Sequence, residues 1–241
     1  MLQSDEFPLT LAFSPDGKTL AFGVDDRSAL LWDLPGRTER VILKNHDGDV
    51  QSVAFSADGK TLATIGNYRL PLDRPCRIHF WDVASGKELP SLGDPKILPQ
   101  SVVFGPDDTT VTSVNNDGSI TIWDRSKGSA KQIWKAPNGG FRHIVASPDR
   151  KILAVGASDP IVWLIDAASG AEKVIFRTEK GLITNFAFSP DSRTLASVVG
   201  SSTIRLWEVE TGFSWGVSPN GNAAFTGVEP PSINSIAFSQ D

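Results

Sequence analysis

Two GKT triplets, at residues 17–19 and 59–61, are the first places in this 241-residue chain where residue type and spacing suggest chemistry, because a phosphate-cradling loop ends in that triplet. Such a loop needs an earlier glycine and a following helix. Ala12 and Ala54 stand where that glycine belongs, and both triplets fall in hairpin turns, so they read as turn residues. HExxH, GxSxG and GxGxxG do not occur. His79 and His143 fall on expected strands with no second ligand at metal-binding spacing and read as structural histidines. Cys76 is the single cysteine, which leaves no internal disulfide and no cysteine zinc site. The aspartates are mostly absorbed by repeated turns, so no carboxylate pair stands out for acid–base work. The expectation is a protein that is not an enzyme, without catalytic residue, metal or cofactor.

Composition narrows the function classes further. A 40% hydrophobic chain with a net charge of −5 and no block of like charges is a packed protein without the basic footprint of a nucleic-acid or anionic-membrane binder. No stretch approaches the ~20 apolar residues of a membrane span, and the first ten residues lack the basic-then-apolar order of a signal peptide. A cytoplasmic location is expected.

The elements that must position any site follow from a repeat. The block LAFSPDGKTLAFG at residues 11–23 recurs from Val53, Val102, Ile144 and Phe186, and a sixth copy begins at Ile236. A second landmark follows each block: LLWD, HFWD, TIWD, WLID and RLWE. From Phe13 to Trp32 is 19 positions, as from Phe104 to Trp123, Ala146 to Ile165 and Phe188 to Trp207, and the repeat period is 42 apart from two insertions. Repeats begin near residues 8, 50, 99, 141, 183 and 233. Within each, short apolar runs separated by turn residues predict four strands: LTLAFS, KTLAFGV, SALLWDL and ERVILK in the first.

Four-stranded units of this period, with FSPDG-like turns and the pairs Trp32-Asp33, Trp81-Asp82, Trp123-Asp124 and Trp207-Glu208, resemble the WD-repeat β-propeller family. The resemblance covers essentially all of residues 1–241, read as one all-β domain: five complete antiparallel blades and the first strand of a sixth. That count predicts an incomplete propeller, with missing blades supplied by a longer parent chain or another subunit. The resemblance also implies inter-blade packing for Trp32, Trp81, Trp123 and Trp207. It implies a network joining a histidine, a Ser or Thr, a turn aspartate and the tryptophan. His46 holds the histidine position in the second unit, with Thr64 and Trp81; the third has Ser113, Asp117 and Trp123 but Pro95 in place of the histidine. Asp26 and Asp159 occupy the turn position in the first and fourth units.

Alternating strand direction sends the inter-blade connections and the second-to-third strand turns to one face, the usual partner-binding surface in the family. Both insertions fall there, at residues 66–77 and 218–232. The residue two places before the apolar pair of each first strand should point toward this face and the axis: Leu9, Gln51, Gln100, Arg142, Thr184 and Asn234. Five are polar. With Tyr68, Arg69 and Arg74 on the long loop they form the candidate site for other proteins or peptides, aromatic and arginine residues being common interface anchors. A propeller hydrolase or lactonase is the alternative, opposed by the WD landmark and the lack of clustered His and acidic residues near the axis. A sensory appendage to a kinase or protease is the third.

Overall fold

The structure is a computed structural model that describes residues 8–67, 76–136, 143–156, 160–178, 182–200, 203–217, 233 and 236–239. The chain divides into two compact units, Met1–Gly140 and Phe141–Asp241. Runs rich in Val, Ile, Leu and Phe, each ended by a turn too polar and too bent to continue the ladder, fold in both units as short strands.

The first unit holds three four-stranded antiparallel sheets among its described residues. The first comprises β1 (Pro8–Phe13), β2 (Thr19–Val24), β3 (Ala29–Asp33) and β4 (Thr38–Leu43). The second comprises β5 (Asp49–Phe55), β6 (Thr61–Asn67), β7 (Ile78–Asp82) and β8 (Glu88–Leu92). The third comprises β9 (Pro99–Phe104), β10 (Thr110–Asn115), β11 (Ser119–Asp124) and β12 (Ser129–Lys135). The second unit holds two more: β13 (His143–Ala146), β14 (Ile152–Gly156), β15 (Ile161–Asp166) and β16 (Glu172–Arg177), then β17 (Ile183–Phe188), β18 (Thr194–Val199), β19 (Thr203–Glu208) and β20 (Ser214–Val217). Every sheet is a meander with neighbouring strands consecutive in the chain. The described residues 236–239, at the sixth repeat, belong to none of these strands.

The core lies between sheets, as a repeat that cannot bury both of its faces alone requires. In the first unit Leu31 and Leu43 of the first sheet pack with Val53, Phe55, Leu62 and Trp81 of the second. Ile65, Ile78 and Phe80 of the second sheet pack in turn with Phe104, Val111 and Trp123 of the third. In the second unit Phe176 stacks on Trp207, centroids 4.7 Å apart and planes 11° from parallel. Each large side chain so buried contributes about 2 kcal/mol. The outer side of the first sheet is different. Leu11 and Phe13 are 63% and 59% exposed, whereas their repeat equivalents Val53 and Phe55 are 9% and 8%.

The repeated turn is built the same way in four of the five repeats, the third having Gly105 in place of the serine. Asp16 accepts the Ser14 hydroxyl at 2.6 Å and the Lys18 amide at 3.0 Å, while the Ser14 oxygen accepts the Thr19 amide at 2.9 Å. Ser56 with Asp58, Ser147 with Asp149 and Ser189 with Asp191 repeat it. The fourth turn position has positive φ in all five repeats, at Gly17, Gly59, Asp108, Arg150 and Ser192. The aspartate of each WD landmark closes the next turn: Asp82 accepts the Ser85 hydroxyl, Asp124 that of Ser126 and Asp166 that of Ser169. These bonds hold Asp82 and Asp124 well below the usual carboxylate range, the serine hydroxyl weighing most.

Candidate functional site

The strands that start each sheet carry the positions singled out for partner contact, and their ladders share an irregularity. Thr10 pairs with Gly23 and Pro8 with Val24, so Leu9 is an extra residue. Gln51 is skipped between Val50 and Ser52, and Gln100 between Pro99 and Ser101. In the second unit Thr184 is skipped between Ile183 and Asn185. Each is a β-bulge, which bends the strand and re-aims the side chain it frees. Gln51 and Leu9 are exposed and Gln100 is half-buried.

The bulge has a packing cause that is visible in the sequence. Val50, Val53 and Phe55 all enter one core cluster, as do Ile183, Phe186 and Phe188. Strict alternation would place residues three apart on opposite faces of the strand. The apolar spacing of three and then two therefore requires one extra residue, and that residue is the polar one. Alternation alone missed this signal.

In the first unit the bulged strands lie close together. Val102 donates its amide to the Ser52 hydroxyl at 3.1 Å, and the Asn67 amide group donates to the Pro99 carbonyl at 2.7 Å. A Cβ on Gly23 would come within 2.4 Å of the Val50 carbonyl oxygen, so only glycine permits the approach of β2 to β5. Tyr68, Arg69, Arg74, Arg142, Asn234 and Asp159 lie outside the described residues, as does the side chain of Thr184.

The second sheet also carries a buried histidine pair, ring centroids 5.3 Å apart. His46 Nδ1 is 3.0 Å from the Arg27 carbonyl, which can only accept, so Nδ1 carries the proton and Nε2 is free to accept the Thr64 hydroxyl at 2.8 Å. Thr64 accepts the Trp81 indole N–H at 2.9 Å in return. Burial, reinforced by the charge of His79, pushes His46 down to about 4. His79 lies between Glu88 at 2.8 Å and Asp47 at 3.3 Å. Burial also pushes the Cys76 thiol up to about 12, with Asp47 adding to it, so the thiol stays protonated and unreactive.

The third sheet forms its network without a histidine. Trp123 donates to Ser113 at 2.9 Å, Ser113 to the Asn115 amide oxygen at 2.8 Å, and the Asn115 amide group to Ser119 and Thr121 at 2.9 Å. The Ser119 hydroxyl then donates to Asp117. Asn115 was not among the residues expected to matter; it reaches this chain because it ends β10 opposite the turn. Trp207 donates to Ser197 at 2.8 Å in the second unit. In the first sheet Phe22 occupies the hydroxyl position, Trp32 is half-buried, and Asp26 accepts the Ser28 hydroxyl and amide. In the fourth sheet Val155 and Ile165 replace both polar partners. Trp163 is buried, Trp134 half-buried and Trp215 exposed at 41%.

His143 is exposed and stands edge-on to Phe186 at 5.2 Å. Among the described residues no three His, Cys, Asp or Glu side chains are grouped to hold a metal ion, and no helix is long and apolar enough to cross a membrane.

Comparison with known proteins places this arrangement. The family described as "WD domain, G-beta repeat" matches residues 5–33, 37–82, 96–124 and 172–208, more than half of the chain. The stretch from β13 to β15, with its Ile165 in place of tryptophan, is not among the matched residues. Protein HIR1 of Candida albicans is 28% identical over 130 residues, covering 47% of this chain and 14% of the relative. Small ribosomal subunit protein RACK1y of Oryza sativa subsp. japonica is 33% identical over 114 residues, 46% of this chain and 31% of the relative. Nuclear distribution protein nudF of Aspergillus terreus is 30% identical over 133 residues, 49% and 30%. The chain thus spans less than a third of the length of each of these relatives. Matched over most of its repeats and built from their four-stranded meanders, this chain belongs to the WD-repeat family, and its sheets are blades of the β-propeller fold.

Proposed function

We propose that the chain is a non-catalytic scaffold that holds proteins or peptides on the face carrying the inter-blade connections and the insertion at residues 66–77. Gln51, Gln100 and Thr184 are its strand-borne contacts, Arg142 and Asn234 their repeat equivalents, and Tyr68, Arg69 and Arg74 its loop-borne anchors. The observation that carries this reading is the bulge recurring at one repeat position, which frees a side chain from the ladder where family members meet their partners. Residues 1–241 are read as one propeller domain in a cytoplasmic protein. The exposed Leu11 and Phe13 support further blades from a parent chain or another subunit covering the first blade.

An affinity capture from cell extract with the native chain and with a Gln51, Tyr68, Arg69 and Arg142 multiple alanine variant tests the face. The variant should lose specific partners about tenfold or more while keeping the native far-UV spectrum. Equal recovery by both chains means the partner surface lies elsewhere.

A further inference from the structure

The fourth position of the repeated turn links the third blade to the second and the fifth to the fourth, and among the described residues no such link joins the second blade to the first. Asp108, at that position in the third blade, sends its carboxylate to the turn of the second: Oδ1 accepts the Ala57 amide at 2.8 Å and Oδ2 the Asp58 amide at 3.3 Å. Ser192, at the same position in the fifth blade, accepts the Asp149 amide of the fourth at 3.1 Å. Gly59 holds this position in the second blade, with a left-handed φ of 67° beside 57° at Asp108 and 63° at Ser192. A Cβ built there faces Pro15 of the first blade's turn at 3.4 Å, so the direction is kept but no oxygen extends along it. Among the described residues the Asp16 amide, equivalent to those of Asp58 and Asp149, receives no acceptor from the neighbouring blade.

A cavity of about 540 Å³ lies there, lined by Ser14, Asp16, Arg40, Gly59 and Lys60 among others. Arg40 donates to the Ala84 carbonyl at 3.3 Å, and Lys60 reaches Asp58 only at 3.7 Å. The lining also includes Asp58 and Asp82, yet the hydroxyl and amide donors of their own turns engage these carboxylates, as they do Asp16. The second blade shows that such a turn tolerates an added carboxylate: Asp108 sits against Asp58 with the Arg125 guanidinium bonded to its carbonyl at 2.8 Å. Arg40 and Lys60 supply the corresponding positive charge at the first turn.

We propose that this cavity receives an acidic side chain of a peptide or protein partner. Its carboxylate accepts the Asp16 amide as Ser192 accepts that of Asp149, since Pro15, like Pro148, lacks the second amide that Ala57 gives Asp108, and Arg40 and Lys60 lie alongside. The volume far exceeds one carboxylate and admits the residues that flank it. This site lies among the SPDG turns, on the face opposite the inter-blade connections, and stands independently of the contacts proposed above.

The probes are a capped pentapeptide with one central glutamate in a glycine background, its glutamine twin, and sodium acetate, each titrated into the full chain while the Asp16 amide resonance is followed. The glutamate peptide should shift that resonance with an affinity about fivefold or more above its twin. Gly59→Asp, which copies the residue and backbone conformation of Asp108, should fill the site and abolish the response; Arg40→Gln, which leaves the turn untouched, should weaken it about fivefold. Equal responses to both peptides, or an undiminished response in either variant, overturn the proposal. So does acetate as effective as the peptide, which would mark a small free carboxylate as the ligand.

Discussion

In the second blade the Thr64 hydroxyl gives its proton to a histidine ring, whereas in the third the Ser113 hydroxyl gives its proton to the Asn115 amide oxygen. Both arrangements leave the hydroxyl oxygen free to accept a buried indole N–H, and Trp81 and Trp123 are 3% and 1% exposed. A buried indole donor needs one acceptor, and the acceptor's own proton needs a destination. Either polar group meets the need, but only the ring can itself take up a proton, which in the folded chain happens at about pH 4. The second blade therefore titrates at the partner of the indole's own hydroxyl, whereas in the third the titrating group is Asp117, at the far end of the chain of bonds.

The largest effect expected from breaking this comparison is removal of either tryptophan. Trp81→Ala or Trp123→Ala should cost about 4 kcal/mol in urea unfolding, since each leaves a large cavity and a buried hydroxyl oxygen without its indole donor. Trp32→Ala, at the half-buried position facing no hydroxyl, should cost less than half as much. Equal costs for Trp32 and Trp123 would mean that the network and the covering blade contribute little.

Acid comes next. His46 sits at about 4 in the folded chain against an ordinary 6.5, so as pH falls the unfolded chain takes up the proton first. Stability from this group is fully present above pH 6.5, declines between pH 6.5 and about 4, and the loss reaches about 3 kcal/mol. Stability measured along that pH series should fall in the native chain and much less in His46→Gln. Parallel curves would show that His46 is not the group responsible.

Much of this was legible in the residues. The strands of the first repeat and the positions of the four tryptophans follow from local pattern, because apolar runs, turn aspartates and positive-φ glycines act over a few neighbours. The bulges at Gln51 and Thr184 were legible only through the apolar spacing of three and then two, because they satisfy packing against another blade rather than any local turn preference. Asn115 was hidden for a different reason: Ser119 and Thr121 reach it only when β10 and β11 pair. The loop anchors Tyr68, Arg69 and Arg74 rest on residue type alone.

Two smaller effects sharpen the contrast. Ser113→Ala should cost about 2 kcal/mol by stranding the Trp123 indole and freeing Asn115 from its donor. Ser113→Thr, which keeps the hydroxyl, should recover most of it. Cys76, buried and protonated, should resist maleimide at pH 8 in the native chain and react fully in urea, with no change in stability to accompany the difference.

The extra residue at the start of β1, β5, β9 and β17 also governs how these repeats tolerate changes in length. Deleting Gln51 would restore strict alternation and turn Asp49 and Val50 over by half a rotation, carrying Val50 out of the core and its neighbour in. Deletions at this point are thus penalised more than those in a surface connection. Exchanging glutamine there for another polar side chain leaves the fold untouched, so the position is free to diversify in identity but not in number.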